Sequence, residues 1–369
     1  MTEPRRLRGH KGTATCCIAS RDRPGVVATA GEDGCICLFD MRCKDAQHIV
    51  EVAQEPITSL CFKSGNEDIM YVSSGNEVKC FDVHNMASMC TPFKSYNYNK
   101  DEINQIACNS KAAFLASTDD GGDVKVLSVQ FIPWRPWEVI TGGLDSKLVM
   151  WDFSKGRPVK IVDFGLHDIK KGSSGAKFYN PAFVHAIAVP DVDMLEKSDK
   201  ICVVARGDGV VDVINIESEL AAIRSKICTK ARKGSPSTSK GGIAAAGTEI
   251  LDLARNRLHL DYSVGGHFAA VSCVTFSMFG EKGKLIISGG NDKSVKVWDC
   301  SKYHDAGQNG GNNDVLRLNI DLGKKYHPLK DTKHTLALVR AFDIKTRPEI
   351  KDWKEAKGDP LERIEELGL

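Results

Sequence analysis

The stretch IISGGNDKSVKVWD, from Ile286 to Asp299, decides the fold class of this chain. Apolar and polar residues alternate from Val295 to Trp298, which is typical of a β-strand with one buried face. The Gly/Asn/Asp cluster before this strand tolerates positive φ and therefore predicts a tight turn. The stretch thus predicts a β-hairpin that ends in a Trp-Asp pair.

The same phrase recurs along the chain, and a Gly-His pair precedes its first and last full copies at Gly9-His10 and Gly266-His267. The further copies are Ala28 to Asp40, Tyr71 to Asp82, Ala116 to Ser128, Ile140 to Asp152 and the weaker Val204 to Asn215. Such self-similarity predicts a repeat architecture built from hairpin units.

In these motifs the chain resembles the WD-repeat family, whose unit of about 40–45 residues forms one four-stranded blade of a β-propeller. The resemblance implies an all-β propeller of the seven-bladed type, of which six units are recognisable here. It also implies buried polar chains within the blades, which satisfy groups that would be costly to bury alone. The expected members are His267, Ser288, Asp292 and Trp298 in the last unit, His10 and Asp33 in the first, and Asp145 and Trp151 in a middle unit. Phe39 stands where Trp is usual in the first unit, so its chain should be shorter.

The spacing of the aromatic-Asp positions breaks once. Phe39 and Phe81 are 42 residues apart, and Leu127 follows Phe81 by 46, but Trp151 follows Leu127 by only 24. This interval is about half a blade too short, which predicts one truncated blade without its outer strand. The continuous stretch from Asp123 to Ile132 then has to serve one blade or the other. Either the chain is a shortened form, or two blades are rebuilt as one.

The chain divides into a propeller over residues 1–322 and a tail over 323–369 that lacks the repeat phrase. Propellers remove open edges by pairing N-terminal and C-terminal strands in one blade, so the missing phrase predicts defective closure. Two segments interrupt the repeats: a Gly/Ser/Lys linker at 165–177 and a basic insert at 226–247. The composition of the insert favours a disordered loop.

Composition indicates a globular protein of a reducing compartment. Of the 369 residues 42% are hydrophobic, and the net charge of +2 gives no reason for whole-surface attraction to nucleic acid or lipid. No signal-like or membrane-spanning apolar run is present, so no membrane association is expected. The thirteen cysteines are an odd number and lie mostly in strand-like runs. We expect free thiols and a cytoplasmic and/or nuclear protein.

No catalytic motif is found, so we expect no enzyme activity, no catalytic residues, no metal and no cofactor. Phosphate-binding Gly-rich loops, a paired-histidine zinc helix and a nucleophile elbow are all missing from the sequence. The turn acids Asp145 and Asp292 occupy the same repeat position, which favours a structural role. A protein-interaction scaffold is therefore the leading function.

Phe39-Asp40-Met41-Arg42 carries the alternative function. It resembles the Trp-Asp-x-Arg end of the motif by which some WD-repeat proteins dock on the DDB1 adaptor of cullin-4 ubiquitin ligases. Arg42 would then be a charged anchor, a residue type enriched at interface hot spots. The opposing interpretation, which we favour slightly, is a solvated turn arginine.

Pro133-Trp134-Arg135-Pro136-Trp137 is a second partner-binding candidate. Two tryptophans in one turn either pack between blades or meet a partner, and packing is favoured. Counting antiparallel reversals places Trp134, Arg135 and Trp137 on the same face as Arg42. The basic insert lies on this face too if Leu258 to Tyr262 is the outer strand of its blade. The insert contains no aromatic residues for base stacking, so a nucleic-acid partner is not favoured.

Overall fold

The computed structural model describes residues 7–43, 46–86, 90–111, 113–165, 180–194, 200–221, 257–277, 283–299 and 315–322. Within these segments twenty-two strands form six antiparallel sheets, which we call units one to six. Two single 3-10 turns, at Val192–Met194 and Tyr262–Val264, and a helical segment at residues 216–221 complete the regular structure of these segments. The all-β fold class is confirmed.

Five units are four-stranded sheets whose strands follow one another in chain order. Unit one contains β1 (Ala14–Ala19), β2 (Val26–Gly31), β3 (Cys35–Asp40) and β4 (Ala46–Glu51). Unit two contains β5 (Ile57–Phe62), β6 (Ile69–Ser74), β7 (Glu77–Asp82) and β8 (Lys94–Tyr96), and unit three contains β9 (Ile103–Cys108) and β10 (Leu115–Asp119). Unit four contains β11 (Val126–Phe131), β12 (Glu138–Gly143), β13 (Lys147–Asp152) and β14 (Arg157–Asp163). Unit five contains β15 (Val184–Ala188), β16 (Ile201–Arg206), β17 (Val211–Asn215) and β18 (Arg257–Leu260). Unit six contains β19 (Val271–Phe276), β20 (Leu285–Gly290), β21 (Ser294–Asp299) and β22 (Leu316–Asp321).

Unit three is shorter than the sequence predicts, because it keeps two strands where three were expected. β11 pairs with β12 along its length, so the stretch from Asp123 to Ile132 contributes its strand to unit four. Only six residues separate Asp119 from Val126, enough for one crossing of the sheet but not for a third strand and a return. The short interval in the sequence therefore truncates the earlier of the two units.

Successive units share hydrophobic clusters, which arrange the sheets side by side. Phe81 and Met70 of unit two pack with Ile36 of unit one, and Trp298 of unit six packs with Val203 of unit five. Each fully buried large side chain of this kind stabilises the fold by roughly 1.5–3 kcal/mol. Residues of all six first strands line a central cavity of about 1550 Å³, as expected for blades around a channel.

The antiparallel order gives the disc two faces. Face 1 carries the loops after the first and third strands of each unit, and face 2 carries the loops after second strands and the connections between units. The β2–β3 type of turn on face 2 uses positive φ at one repeated position, at Gly34, Gly209, Ser146 and Lys293. Two of these are not glycine, so the hairpin geometry is kept even where the sequence lacks its usual residue.

Closure of the ring is not visible in the described segments. β1 belongs to unit one and β22 to unit six, and no sheet of the described residues combines N-terminal with C-terminal strands. The six sheets found do not confirm the seven-bladed type. The tail at 323–369, the basic insert at 226–247 and all but Gly165 of the linker lie outside the described residues.

Candidate partner-binding surface

An aromatic cluster on face 1 spans the boundary between units three and four. Phe114 precedes β10, Trp137 precedes β12 and Phe153 follows β13. The ring centroids of Trp137 lie 5.5 Å from Phe114 and 5.7 Å from Phe153, and Phe131 meets Phe153 edge-on at 6.0 Å. Trp137 nevertheless keeps 52% of its surface exposed. An exposed aromatic held by other rings is already ordered, so a partner would lose little entropy by packing on it.

Trp134 and Arg135 are held by an acid that lies far away in the sequence. Trp134 packs against the core shared by units four and five, and its Nε1 donates to Oε1 of Glu217 at 3.1 Å. Arg135 donates to both carboxylate oxygens of Glu217, at 3.0 and 2.8 Å, and to Oε1 of Glu138 at 2.7 Å. These hydrogen bonds from Arg135 lower the pKa of Glu217 despite its partial burial.

These side chains border a groove of about 510 Å³ next to the aromatic cluster. Trp134, Trp137, Lys155 and Lys200 are among its lining residues. The groove therefore combines aromatic side chains, which are enriched in protein interfaces, with charged groups of the kind found at a polar rim. Trp137 is the part of the Pro133–Trp137 turn that is free to meet a partner, whereas Trp134 is mainly packed.

Arg42 lies on the same face but in unit one, which is not adjacent to unit four. Phe39 and Asp40 are buried at the end of β3, while the Arg42 side chain is 82% exposed. Asp40 accepts from Arg42 Nε at 3.0 Å and Nη2 at 2.6 Å. The hydrogen bond from Arg42 lowers the pKa of Asp40. The guanidinium is thus presented to solvent in a fixed orientation.

The polar side chains of unit six form one hydrogen-bonded chain. Nδ1 of His267 lies 3.0 Å from both carboxylate oxygens of Asp292, and its Nε2 lies 2.8 Å from Oγ of Ser288. Trp298 Nε1 donates to the same hydroxyl at 2.9 Å. Burial opposes ionisation of Asp292, but its bonds with His267 and Ser294 lower its pKa. The chain of hydrogen bonds links β20, β21, the turn between them and the segment before β19.

The other units contain shorter versions. In unit one His10 bonds Asp33 at 3.0 Å and Thr29 at 2.7 Å, and no indole continues the chain beyond Thr29. In unit four Trp151 donates to Thr141 at 2.8 Å, whereas Asp145 accepts from the backbone of Lys147. Unit four therefore has the indole end of the chain and the turn acid, without a histidine between them.

Unit five contains a buried charged cluster that sequence reasoning missed. Arg206 forms ion pairs with Asp208 and with Asp212, at 2.8 Å to the latter, and Asp212 also contacts His259. The guanidinium stacks 4.9 Å from the Phe164 ring of unit four. Burial raises the pKa of Asp208 despite Arg206, whereas Arg206 and His259 outweigh burial and lower the pKa of Asp212. The Gly-Asp turn at 207–208 was the only local signal for this cluster.

Two negative findings apply to the described segments. They contain no helix long and apolar enough to cross a membrane. They also contain no group of three or more His, Cys, Asp or Glu side chains placed to hold a metal ion.

One family model and several known proteins match parts of this chain. A family model for the WD domain, G-beta repeat, matches residues 1–40 and 259–299. The WD repeat-containing protein 53 homolog of Dictyostelium discoideum is 26% identical over 247 residues, which cover 58% of this chain and 65% of the relative. The U5 small nuclear ribonucleoprotein 40 kDa protein of the same organism is 28% identical over 81 residues, or 22% of each chain. The aligned parts thus span less than two thirds of either relative.

Proposed function

Because this chain belongs to the WD-repeat β-propeller family, we propose that it is a non-enzymatic scaffold that holds partner proteins on face 1. The observation that carries the proposal is the half-exposed Trp137, which packs at a tilt against Phe114 and Phe153 beside a charged groove. Rigid exposed aromatics are the residues that most often dominate binding energy in protein interfaces.

The acids in the blade turns support binding rather than catalysis. The oxygens of Asp33 and Asp292 are occupied by a histidine and by backbone amides of their own blades. A general acid or base needs an oxygen that reaches the substrate. These carboxylates instead hold the hairpins together.

A partner-capture experiment with a matched control tests the scaffold. Trp137→Ala is compared with Phe268→Ala, which removes an exposed aromatic from the connection before β19 on face 2. Chemically cross-linked partners are quantified by mass spectrometry for both variants and the unchanged chain. We expect recovery of face-1 partners to fall at least tenfold for Trp137→Ala and to persist for Phe268→Ala. A tenfold loss of affinity corresponds to about 1.4 kcal/mol of binding free energy. Equal recovery by both variants contradicts the proposal.

A second candidate is a substrate receptor of a cullin-4 ubiquitin ligase that docks on DDB1 through Phe39, Asp40 and Arg42. The exposed guanidinium, fixed by Asp40, favours it. Arg42→Ala should weaken binding of purified adaptor at least tenfold, while Arg23→Ala, in a neighbouring loop of the same face, should not. Calorimetry that gives one affinity for both variants removes this candidate.

We further propose that the protein acts in the cytoplasm and/or nucleus. Cys16, Cys17, Cys37, Cys202 and Cys273 are buried in strands as small apolar side chains, which suits a reducing compartment. Imaging of a fluorescently tagged chain tests this, and accumulation in secretory compartments contradicts it.

A further inference from the structure

The outer edge of β10 is open in the described part of the chain. β10 pairs with β9 and has no strand on its other side. The Asn109 amide donates to the Phe114 carbonyl at 3.0 Å. Hydrogen-bonded and non-bonded positions alternate along an antiparallel pair. Asn109 and Phe114 are a hydrogen-bonded pair, so the next pairs, with Leu115 and then Ser117, include the non-bonded positions of β10. The main-chain groups of Leu115 and Ser117 therefore point away from β9, where they can bond to a third strand.

This edge is recessed between two complete blades. Units two and four each extend two strands further outward, to β8 and β14. Neighbouring strands lie about 4.8 Å apart, so the edge of β10 lies roughly 10 Å inside the rim. A second copy of the disc cannot bring its own recessed β10 to this depth. A single extended segment can enter.

The two sides of the recess offer apolar and aromatic surface. On the side of unit two, Tyr71 and Tyr96 pack against the same buried cluster as Leu115. On the side of unit four, Val139 and Phe153 pack against the same buried cluster as Ala116. All four side chains are only partly buried. A strand placed here would have walls on both sides, so it needs apolar residues on both of its faces.

The face-2 end of the recess is acidic. Two loops flank it, at residues 97–102 and 120–125, and Asp119 ends β10 beside them. The loops and Asp119 together carry five acids against two lysines: Asp101, Glu102, Asp119, Asp120 and Asp123 against Lys100 and Lys125. Lys125 is already paired with Asp120. The remaining negative charge fits a segment with basic residues at this end.

We propose that unit three binds an extended segment of a partner protein, which pairs antiparallel with β10 as a third strand. The segment has apolar residues on both faces and basic residues at its N-terminal end, beside Asp101 and Asp119. The proposed strand pairing specifies how the scaffold binds a partner, and it rests on the proposed scaffold function. Main-chain hydrogen bonds to Leu115 and Ser117 give affinity, and the walls and acidic end give selectivity.

The test uses the full chain and a fluorescein-labelled probe, Lys-Arg-Val-Leu-Val-Ile-Val-Tyr, which has apolar residues on both faces of a strand. Ser117→Pro removes the outward N–H, and proline is tolerated at such an edge position. Ser117→Ala is the matched control, because both variants lose the hydroxyl that donates to Asn99. We expect fluorescence anisotropy to show saturable binding that Ser117→Pro weakens at least tenfold and Ser117→Ala less than twofold.

Two modified peptides make the test independent of the variants' folding. N-methylation of alternate probe amides should weaken binding at least tenfold, since it removes main-chain donors and keeps every side chain. Replacement of Lys-Arg by Glu-Glu should weaken it at least threefold. No binding of the parent probe, or equal binding of the N-methylated peptide, overturns the proposal.

Sedimentation velocity tests whether a second copy of the chain occupies the edge of β10. A dimer of the unchanged chain that Ser117→Pro dissociates would assign the edge to a second copy and overturn the proposal. If the probe fails while Trp137→Ala still loses partners, this inference falls and the scaffold stands. If Trp137→Ala loses nothing, the scaffold on face 1 falls instead.

Discussion

His267 and Asp292 show what a single buried pair contributes to a blade. Both side chains are fully buried, and each has its polar atoms bonded to the other or to a serine. Removing one partner leaves the other desolvated without compensation, which costs more than the bond itself contributes.

Asp292→Ala should therefore lower the free energy of unfolding by about 1–3 kcal/mol at neutral pH. Asp145→Ala is the matched control, since it occupies the same turn position in unit four but bonds a backbone amide instead of a histidine. Chemical denaturation of both variants measures the difference. Equal losses would mean that the His267 bond contributes nothing beyond the turn.

The pH dependence of this contribution has a definite sign. The pKa of Asp292 is lowered in the folded protein, so its ionised form stabilises the fold above the unfolded pKa of about 3.9. That stabilisation is lost as the pH falls through the folded pKa. The difference in the free energy of unfolding between the unchanged chain and Asp292→Ala should accordingly become smaller below about pH 4.

At the scale of the element, hairpins were predictable and their neighbours were not. The Gly-Asn-Asp turn and the alternation from Val295 to Trp298 locate β20 and β21 directly, because both signals are local. Glu217 lies 82 residues after Arg135 along the chain. No local sequence pattern predicts the contact between Arg135 and Glu217, and none predicts the contact between Phe114 and Trp137.

The number of strands in unit three differs from the number that the spacing predicted. The interval between Leu127 and Trp151 correctly indicated a truncated blade. The alternation of apolar residues from Val124 onward does not predict which sheet the strand joins, because it indicates a buried face and not the neighbouring strand. Pairing of β11 with β12 assigned the strand to unit four, so two strands are missing instead of one.

At the scale of the whole molecule, the same truncation shapes the binding surface. A complete third blade would pair the edge of β10 and cover the sides of units two and four that flank it. The missing strands leave a recess, with Trp137 and Phe114 at its face-1 end and acids at its face-2 end. The surface of face 1 that we propose for partners and the recess of unit three are therefore continuous.

Amide hydrogen exchange of the full chain tests this account most directly. The second strands β6 and β12 are paired on both sides, whereas β10 is paired on one. We predict that the amides of Leu115 and Ser117 exchange at least about a hundredfold faster than those in the middle of β6 and β12, since unpaired edge amides need no opening of the sheet. Equal protection of β10 and its two counterparts would show that its outer edge is already covered, and would contradict the account.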